Sequence, residues 1–346
     1  MTERIAVVRA LQLGDLLVAV PALRALRSRF SKAEITLIGL PWAEWFAGRF
    51  SEYIDQFLPF PGWPEIDEAG YDPRQTEGFI QAQRAYGYDL VIQMHGNGRT
   101  MNGFALALGG RTTAGYFTGE RPAGLSPAAP YPDDRPEILR NLGLAQLVGA
   151  TDLRTNLEFP LYDADRDKAR SLLPPRGLES IPRVGIHAGA SAPSRRWPAE
   201  RFADVARDLV TRHGAQLVLT GGPGEEEIAE TVAMLVNVPV TNLAGQTSLG
   251  GLAAVLSELD LFVTNDTGPG HIATALGVPS VTIFGPADFR RWAPLDTSRH
   301  AVVRRQVECS PCPHRICPID HRCLSWIESP EVIAAADGLL TGVHVV

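Results

Sequence analysis

The stretch Asn265-Asp266-Thr267-Gly268-Pro269-Gly270-His271-Ile272-Ala273 decides how this chain is read. The apolar run before it, Leu261-Phe262-Val263-Thr264, has the length and composition of a buried strand. Ala273-Thr274-Ala275-Leu276-Gly277 follows as a small-residue helix closed by glycine, and Ser280-Val281-Thr282-Ile283-Phe284 is a second apolar strand. A strand, a tight turn and a helix with no bulky side chain in its first turn leave backbone N–H groups without intrahelical partners. Together with the helix dipole they form an anion site, most often for phosphate. His271 sits one turn in, within reach of a phosphate oxygen. The same residues also fit an ordinary capped helix with Asp266 as its N-cap. The rest of the chain has to choose between the two.

Working outward, the second half alternates strands near 183–188, 215–220, 238–243, 260–264 and 280–284 with helical patterns near 199–212, 224–235 and 248–258. Strands separated by helices of that length imply an α/β architecture, a parallel sheet covered on both faces. The first half opens in the same way. Ile5 to Val8 reads as a strand, Leu16 to Phe30 as a helix and Glu34 to Leu40 as a second strand. A later strand, Asp89 to Met94, runs into the polar His95-Gly96-Asn97-Gly98-Arg99-Thr100. Pro- and Gly-rich stretches at 59–64 and 121–136 read as surface loops.

The expected organisation is therefore two Rossmann-like, doubly wound domains. Residues 1–160 form the first and 183–328 the second, with 161–182, which holds Pro174, Pro175, Gly177 and Pro182, as the linker. Residues 329–346 are expected to form a C-terminal helix and tail that pack back toward the first domain. Two such sheets facing one another place the ligand cleft at the carboxyl ends of their strands.

Bulk properties narrow the partners. A chain of 346 residues exceeds one comfortable core. Its net charge of −7, with no basic block, argues against a general nucleic-acid partner. Lys32 and Lys168 are the only lysines among 32 basic residues. Arginine suits bidentate phosphate contacts, and biased codon usage explains the same preference. No stretch reaches the roughly 20 apolar residues of a membrane span, and a strand opens the chain where a signal peptide would lie, so the reading is cytoplasmic. The aromatics from Trp42 to Trp63 read first as domain core; the other reading is peripheral contact with the inner membrane or a lipid-linked acceptor.

Loops at strand ends carry the chemistry. Gly14-Asp15 opens a strongly apolar helix, where a carboxylate serves either as a cap or as a general base held against an apolar wall. Ser191-Ala192-Pro193-Ser194-Arg195-Arg196-Trp197-Pro198 offers hydroxyls and two guanidinium groups for a phosphate, ahead of a proline-started helix. Glu225 lies in the glycine-rich loop after the next strand and either favours the helix start or holds ribose hydroxyls. His95 and Asn97 mark the corresponding loop of the first domain.

In their order along the chain these loops resemble the heptosyltransferase-like glycosyltransferases of family 9, which invert the transferred sugar and have the GT-B fold. Arg9 through Leu23 is similar to the family's opening pattern, and the resemblance makes Asp15 the catalytic base. Ser194 through Pro198 resembles its basic-Trp-Pro loop, and Asp266 through His271 its Asp-Thr-Gly-x-x-His signature. The family often has lysine two positions before the tryptophan, where this chain has Arg195. The resemblance implies that the second domain binds an ADP-sugar donor, typically ADP-heptose, through Ser191, Ser194, Arg195, Arg196, Glu225, Asp266, Thr267, Gly268 and His271. The first domain would bind a lipopolysaccharide-core or other envelope acceptor, ahead of a protein acceptor, with Gly14, His95 and Asn97 on that side. No cofactor is needed for such chemistry. Within the same fold a sugar-nucleotide epimerase or hydrolase is the alternative, and from another class a silent nucleotide-sugar sensor.

All four cysteines lie in one stretch, at Cys309, Cys312, Cys317 and Cys323. Clustered thiols in a chain read as cytoplasmic favour a tetrahedral structural metal, zinc or iron, over disulfides. Reduced free thiols are the alternative. Four thiolates around one ion would leave no open position for catalysis.

Overall fold

The computed structural model describes residues 2–176 and 181–342. The chain divides after Asn156 into two compact units. The first unit holds strands β1 (Arg4–Val8), β2 (Glu34–Gly39), β3 (Gln56–Pro59), β4 (Leu90–Gln93), β5 (Thr112–Phe117) and β6 (Leu125–Pro130). The second holds β7 (Arg183–His187), β8 (Gln216–Leu219), β9 (Val240–Asn242), β10 (Leu261–Asn265), β11 (Ser280–Phe284) and β12 (His300–Arg304).

All strand pairs in both sheets are parallel. The first sheet runs β3-β2-β1-β4-β5-β6 and the second β12-β11-β10-β7-β8-β9. Counted from its own first strand, each unit has the order 3-2-1-4-5-6 of a doubly wound dinucleotide-binding fold. The strand order reverses beside the first strand of each unit, between β1 and β4 and between β7 and β10. A crevice opens there at the strands' carboxyl ends, and ligands of such sheets bind in it. Asp15 and His95 follow β1 and β4. Ser191–Arg196 and Asp266–His271 follow β7 and β10.

The central strands are largely apolar because helices cover both their faces. Val184, Ile186, Leu261, Val263, Val281 and Ile283 of the second sheet are all essentially inaccessible. The aromatic-rich segment of the first unit is core, as the sequence suggests: Phe46, Phe50, Tyr53 and Phe60 are buried, and Trp42 and Trp63 pack against the cluster that holds Phe60. Among the described residues no helix is long and apolar enough to cross a membrane.

Several sequence expectations are corrected. The helix expected over Leu16–Phe30 is two helices, Leu13–Leu17 and Val20–Arg29. Pro21 has no N–H for a continuous ladder and instead sits in the first turn of the second helix. The stretch 121–136 is not all loop, because β6 lies within it. Pro127 and Pro130 are tolerated there since β6 is an edge strand. The expected linker contributes the helix Asp163–Leu172, which packs on the helix Leu249–Ser257 of the second unit; residues 177–180 lie outside the described residues. The C-terminal helix, Ser329–Thr341, packs on the helix Ala199–His213 and on β10–β12. It buries Val332 and Ala336 in the second unit's core. Tail residues 343–346 lie outside the described residues.

Candidate functional site

In the second unit, β10 ends in Asn265, and the helix Gly268–Ala275 begins three residues later. Its N-cap is Thr267, in extended conformation and without a side-chain cap bond; Asp266 is not the cap. The carboxylate of Asp266, almost buried, faces the Arg195 guanidinium across 3.5 Å. An uncapped first turn with an arginine beside it is what an anion needs. His271 lies in the same turn, with its ring edge toward Trp292 at 6.4 Å between centroids. Surrounding protein, and then the Arg195 cation, push its imidazole down to about 4. At neutral pH it is uncharged and can donate one N–H. Asp266, Thr267, Gly270, His271, Thr282 and Trp292 line a small cavity at this helix tip.

The basic loop is sorted by its hydrogen bonds. Arg195 is partly exposed and turned to Asp266. Arg196 donates through Nε to the Ala190 carbonyl at 2.9 Å, which ties the loop back on itself. Ser191 is exposed. Ser194 is buried, and its hydroxyl donates to the His314 carbonyl at 2.7 Å. Its hydroxyl proton is thus engaged within the protein. Trp197 is buried and donates from its indole to the Ile327 carbonyl at 3.1 Å, so it anchors the loop in the core.

Glu225 turns inward. Its Oε2 accepts the N–H of Gly222 at 2.7 Å and lies 3.5 Å from Nε2 of buried His187. Gly189 makes room for it, since a Cβ there would stand 2.4 Å from that oxygen. The sequence offered two readings of Glu225, and this loop-closing role is a third.

Asn265 escaped the sequence reading. It is fully buried, accepts the Trp197 N–H at 3.0 Å, and donates to the carbonyls of Ala188 at 2.9 Å and Gly189 at 3.2 Å. A polar residue closing an apolar strand was the available signal.

In the first unit, Asp15 sits half-buried in the helix Leu13–Leu17, directly after Gly14. Arg9, buried at the end of β1, donates through Nε to the Asp15 carbonyl at 2.9 Å. Its other nitrogens reach the Met94 carbonyl, Asn141 Oδ1 at 3.0 Å and Glu137 Oε1 at 3.4 Å. Glu137 also pairs with buried Arg140 at 3.2 Å, and Asn141 donates to the Val18 carbonyl at 3.2 Å. Arg9, backed by Glu137, and Asn141 thus hold the middle and the C-cap of the short helix that carries Asp15. His95 lies at the end of β4, buried, with Nδ1 unpartnered among the described residues. Burial, and then the Arg9 cation, push it down to about 4. Asn97 is exposed and closes its own turn by accepting the Arg99 N–H at 3.1 Å. Gly98 is required in that turn: its φ is 82°, and a Cβ would meet the Tyr116 carbonyl oxygen at 2.1 Å.

Cys309, Cys312, Cys317 and Cys323 line one cavity together with Ser194 and His321. Yet among the described residues no three His, Cys, Asp or Glu side chains converge on a point that could hold a cation. Cys309 is exposed while Cys323 is buried. Burial, and then its cysteine neighbours, push the Cys323 thiol up to about 11, which keeps it protonated. Among the described residues nothing supports the structural zinc or iron expected from the spacing.

Residues 77–322 match the model of glycosyltransferase family 9 (heptosyltransferase). The chain is 32% identical over 166 residues to lipooligosaccharide heptosyltransferase 2 of Campylobacter jejuni, covering 46% of this chain and 52% of that protein. It thus spans about half the length of the first curated relatives it matches. It is 26% identical over 345 residues to lipopolysaccharide heptosyltransferase 3 of Escherichia coli K12, covering 94% of this chain and 95% of that protein. The crystal structure of a family 9 glycosyl transferase from Veillonella parvula superposes with a TM-score of 0.82 at 26% identity, covering 98% of each chain. E. coli ADP-heptose lps heptosyltransferase II does so with a TM-score of 0.72 at 21% identity, covering 98% of this chain and 99% of that one, a likeness of fold. The architecture is that of the GT-B fold.

Proposed function

The chain belongs to glycosyltransferase family 9 (heptosyltransferase), and from that premise we propose that it moves a heptose from ADP-heptose to the core of a lipopolysaccharide, with inversion at the anomeric carbon. The observation that carries the donor half is the Arg195–Asp266 pair beside the uncapped helix tip and His271, at the point where the strand order reverses. A diphosphate needs a cation that can turn to it and a neutral donor, and Arg195 and His271 supply both within one loop pair.

The acceptor half rests on Asp15. As general base it takes the proton from the acceptor hydroxyl while that oxygen attacks the anomeric carbon and the bond to the diphosphate breaks. Arg195, the Thr267–Gly268 backbone and the neutral His271 then stabilise the charge gathering on the departing ADP. Arg195 is the mobile charge: arriving phosphate competes with Asp266 for the guanidinium, so the pair stores the cation without burying it.

ADP release from ADP-heptose, with and without a lipopolysaccharide-core acceptor, tests the reading. The expected result is acceptor-dependent ADP together with a mass gain of one heptose on the acceptor. ADP formed equally without acceptor indicates a hydrolase, and ADP-heptose binding with no turnover indicates a sensor. Either outcome overturns the transferase assignment.

A further inference from the structure

The cysteine-bearing segment is left without a role by this chemistry, yet it makes four hydrogen bonds to the basic loop. The Ser194 N–H donates to the Arg315 carbonyl at 3.0 Å and its hydroxyl to the His314 carbonyl at 2.7 Å. His321 Nε2 donates to the Ser194 carbonyl at 2.7 Å, since a carbonyl can only accept. Arg315 donates to the Ser191 carbonyl at 2.9 Å. Every hydrogen-bonding group of Ser194, main chain and side chain, is thereby held by one segment, immediately before Arg195.

The segment is itself built to hold that position. His321 adopts a left-handed backbone conformation, φ 56°, uncommon for a residue with a Cβ. Its N–H donates to Cys317 Sγ at 3.3 Å, while Cys323 and Leu324 pack into the second unit's core just after it. At the other end Cys312 donates its N–H to the Pro286 carbonyl at 2.8 Å, which ties the segment to the loop after β11. A strained turn pinned at both ends presents its imidazole to one carbonyl of the loop.

We propose that the segment Val307–Leu324 is the mount of the donor loop, and that His321 and Ser194 are positioning residues that hold Arg195 at the donor's diphosphate. This rests on the reading of Arg195 given above. Neither residue touches the reacting atoms. Their effect is on how much of the loop's ordering remains to be done when the donor binds.

Donor kinetics of the full-length protein at saturating acceptor, with ADP affinity by calorimetry, test the proposal. Asparagine accepts left-handed backbone readily, so H321N keeps the turn while its short amide falls away from Ser194. Loss of one such bond predicts a donor KM and an ADP Kd raised on the order of five- to tenfold. Turnover and acceptor KM should stay within about twofold, because nothing at the reacting centre is removed. S194A removes only the hydroxyl bond to His314 and should move the donor constants in the same direction. If H321N fails to fold, S194A decides alone. Folded variants with unchanged ADP affinity, or with turnover lost while ADP affinity holds, overturn the mount. R195A separates this failure from that of the donor assignment. Weakened ADP binding in R195A but not in H321N or S194A defeats only the mount. Unchanged ADP binding in R195A defeats the diphosphate reading, and the mount with it.

Discussion

Asn265 accepts the backbone N–H of Trp197 at 3.0 Å, and through this bond the strand ending in the Asp266 signature is stitched to the loop carrying Arg195. The same amide donates to the carbonyls of Ala188 and Gly189. The two loops that would share a diphosphate are therefore one hydrogen-bonded body at its root. Rigidity at the root and exposure at Arg195 are compatible, because the guanidinium sits at the end of a long side chain.

Asn265→Ala should be costly on both counts. It leaves one buried N–H and two carbonyls without their partner, each worth about 1–3 kcal/mol when stranded. We expect a loss of at least about 3 kcal/mol by urea unfolding, together with weaker ADP binding in the protein that remains folded. A variant within 0.5 kcal/mol of the parent (on the order of surface changes) would show that the stitch does not hold.

Asp15→Asn keeps the shape of the side chain and removes its basicity. Turnover should fall by about 10²–10⁴-fold, the usual contribution of a general base. ADP-heptose affinity should be nearly unchanged, since no donor contact is assigned to Asp15. Retained turnover at saturating substrates excludes Asp15 as the base.

Arg9 offers a different test of the same half-site. Its guanidinium is buried and joins the Asp15 carbonyl to Asn141 and Glu137. Arg9→Met takes the Arg9 guanidinium away from Glu137 and frees the short helix. A broken buried pair costs about 3–5 kcal/mol, read as a lower denaturant midpoint. Were Arg9→Met as stable as the parent, the network would not be what fixes the Asp15 helix.

Much of this arrangement is legible in the sequence because it is local. Leu261–Phe284 shows two apolar strands around a Gly-Pro-Gly turn, and a parallel sheet follows from that grammar. Asp15, Arg195 and His271 are likewise singled out as candidates by their immediate neighbours. What stays hidden depends on distant partners. Glu137 and Asn141 look like ordinary positions of an amphipathic helix until Arg9 meets them. Ser194 reads as a phosphate hydroxyl because nothing nearby announces that His314 will take its proton donor. The spacing of the cysteines suggests a metal centre, while only the fold shows one thiol buried and another exposed. Proline misleads at β6, where edge position removes the usual objection.

Histidines held neutral by their surroundings set an acid limit. His95, His271 and His300 are each pushed down from 6.5 to about 4, chiefly by burial. Below about 6.5 an unfolded chain takes up protons that the folded one refuses, so stability falls as pH drops toward about 4 and is unaffected by these groups above about 6.5. Melting temperature followed from pH 7 to pH 4 should decline in that window. His300→Gln, which keeps a partner for the Ser280 hydroxyl, should flatten the decline relative to the parent. An equal slope in both proteins would remove His300 from the account.

The thiols should differ sharply in reactivity, because the thiolate is the nucleophile. Cys323, buried and pushed up to about 11, is ionised to roughly one part in a thousand at pH 8. Cys309 is exposed and open to reagent. Iodoacetamide at pH 8, followed by peptide mapping, should label Cys309 within minutes and leave Cys323 unmodified until the protein is unfolded. Cys323→Ser should also lower the melting temperature, since a hydroxyl would replace a thiol packed beside Leu324 in the core, at a cost of about 1–3 kcal/mol. If Cys323 were alkylated as fast as Cys309 in the folded protein, the segment would be opening on the labelling timescale. A segment that opens so readily could not hold Ser194 in place through the His321 bond.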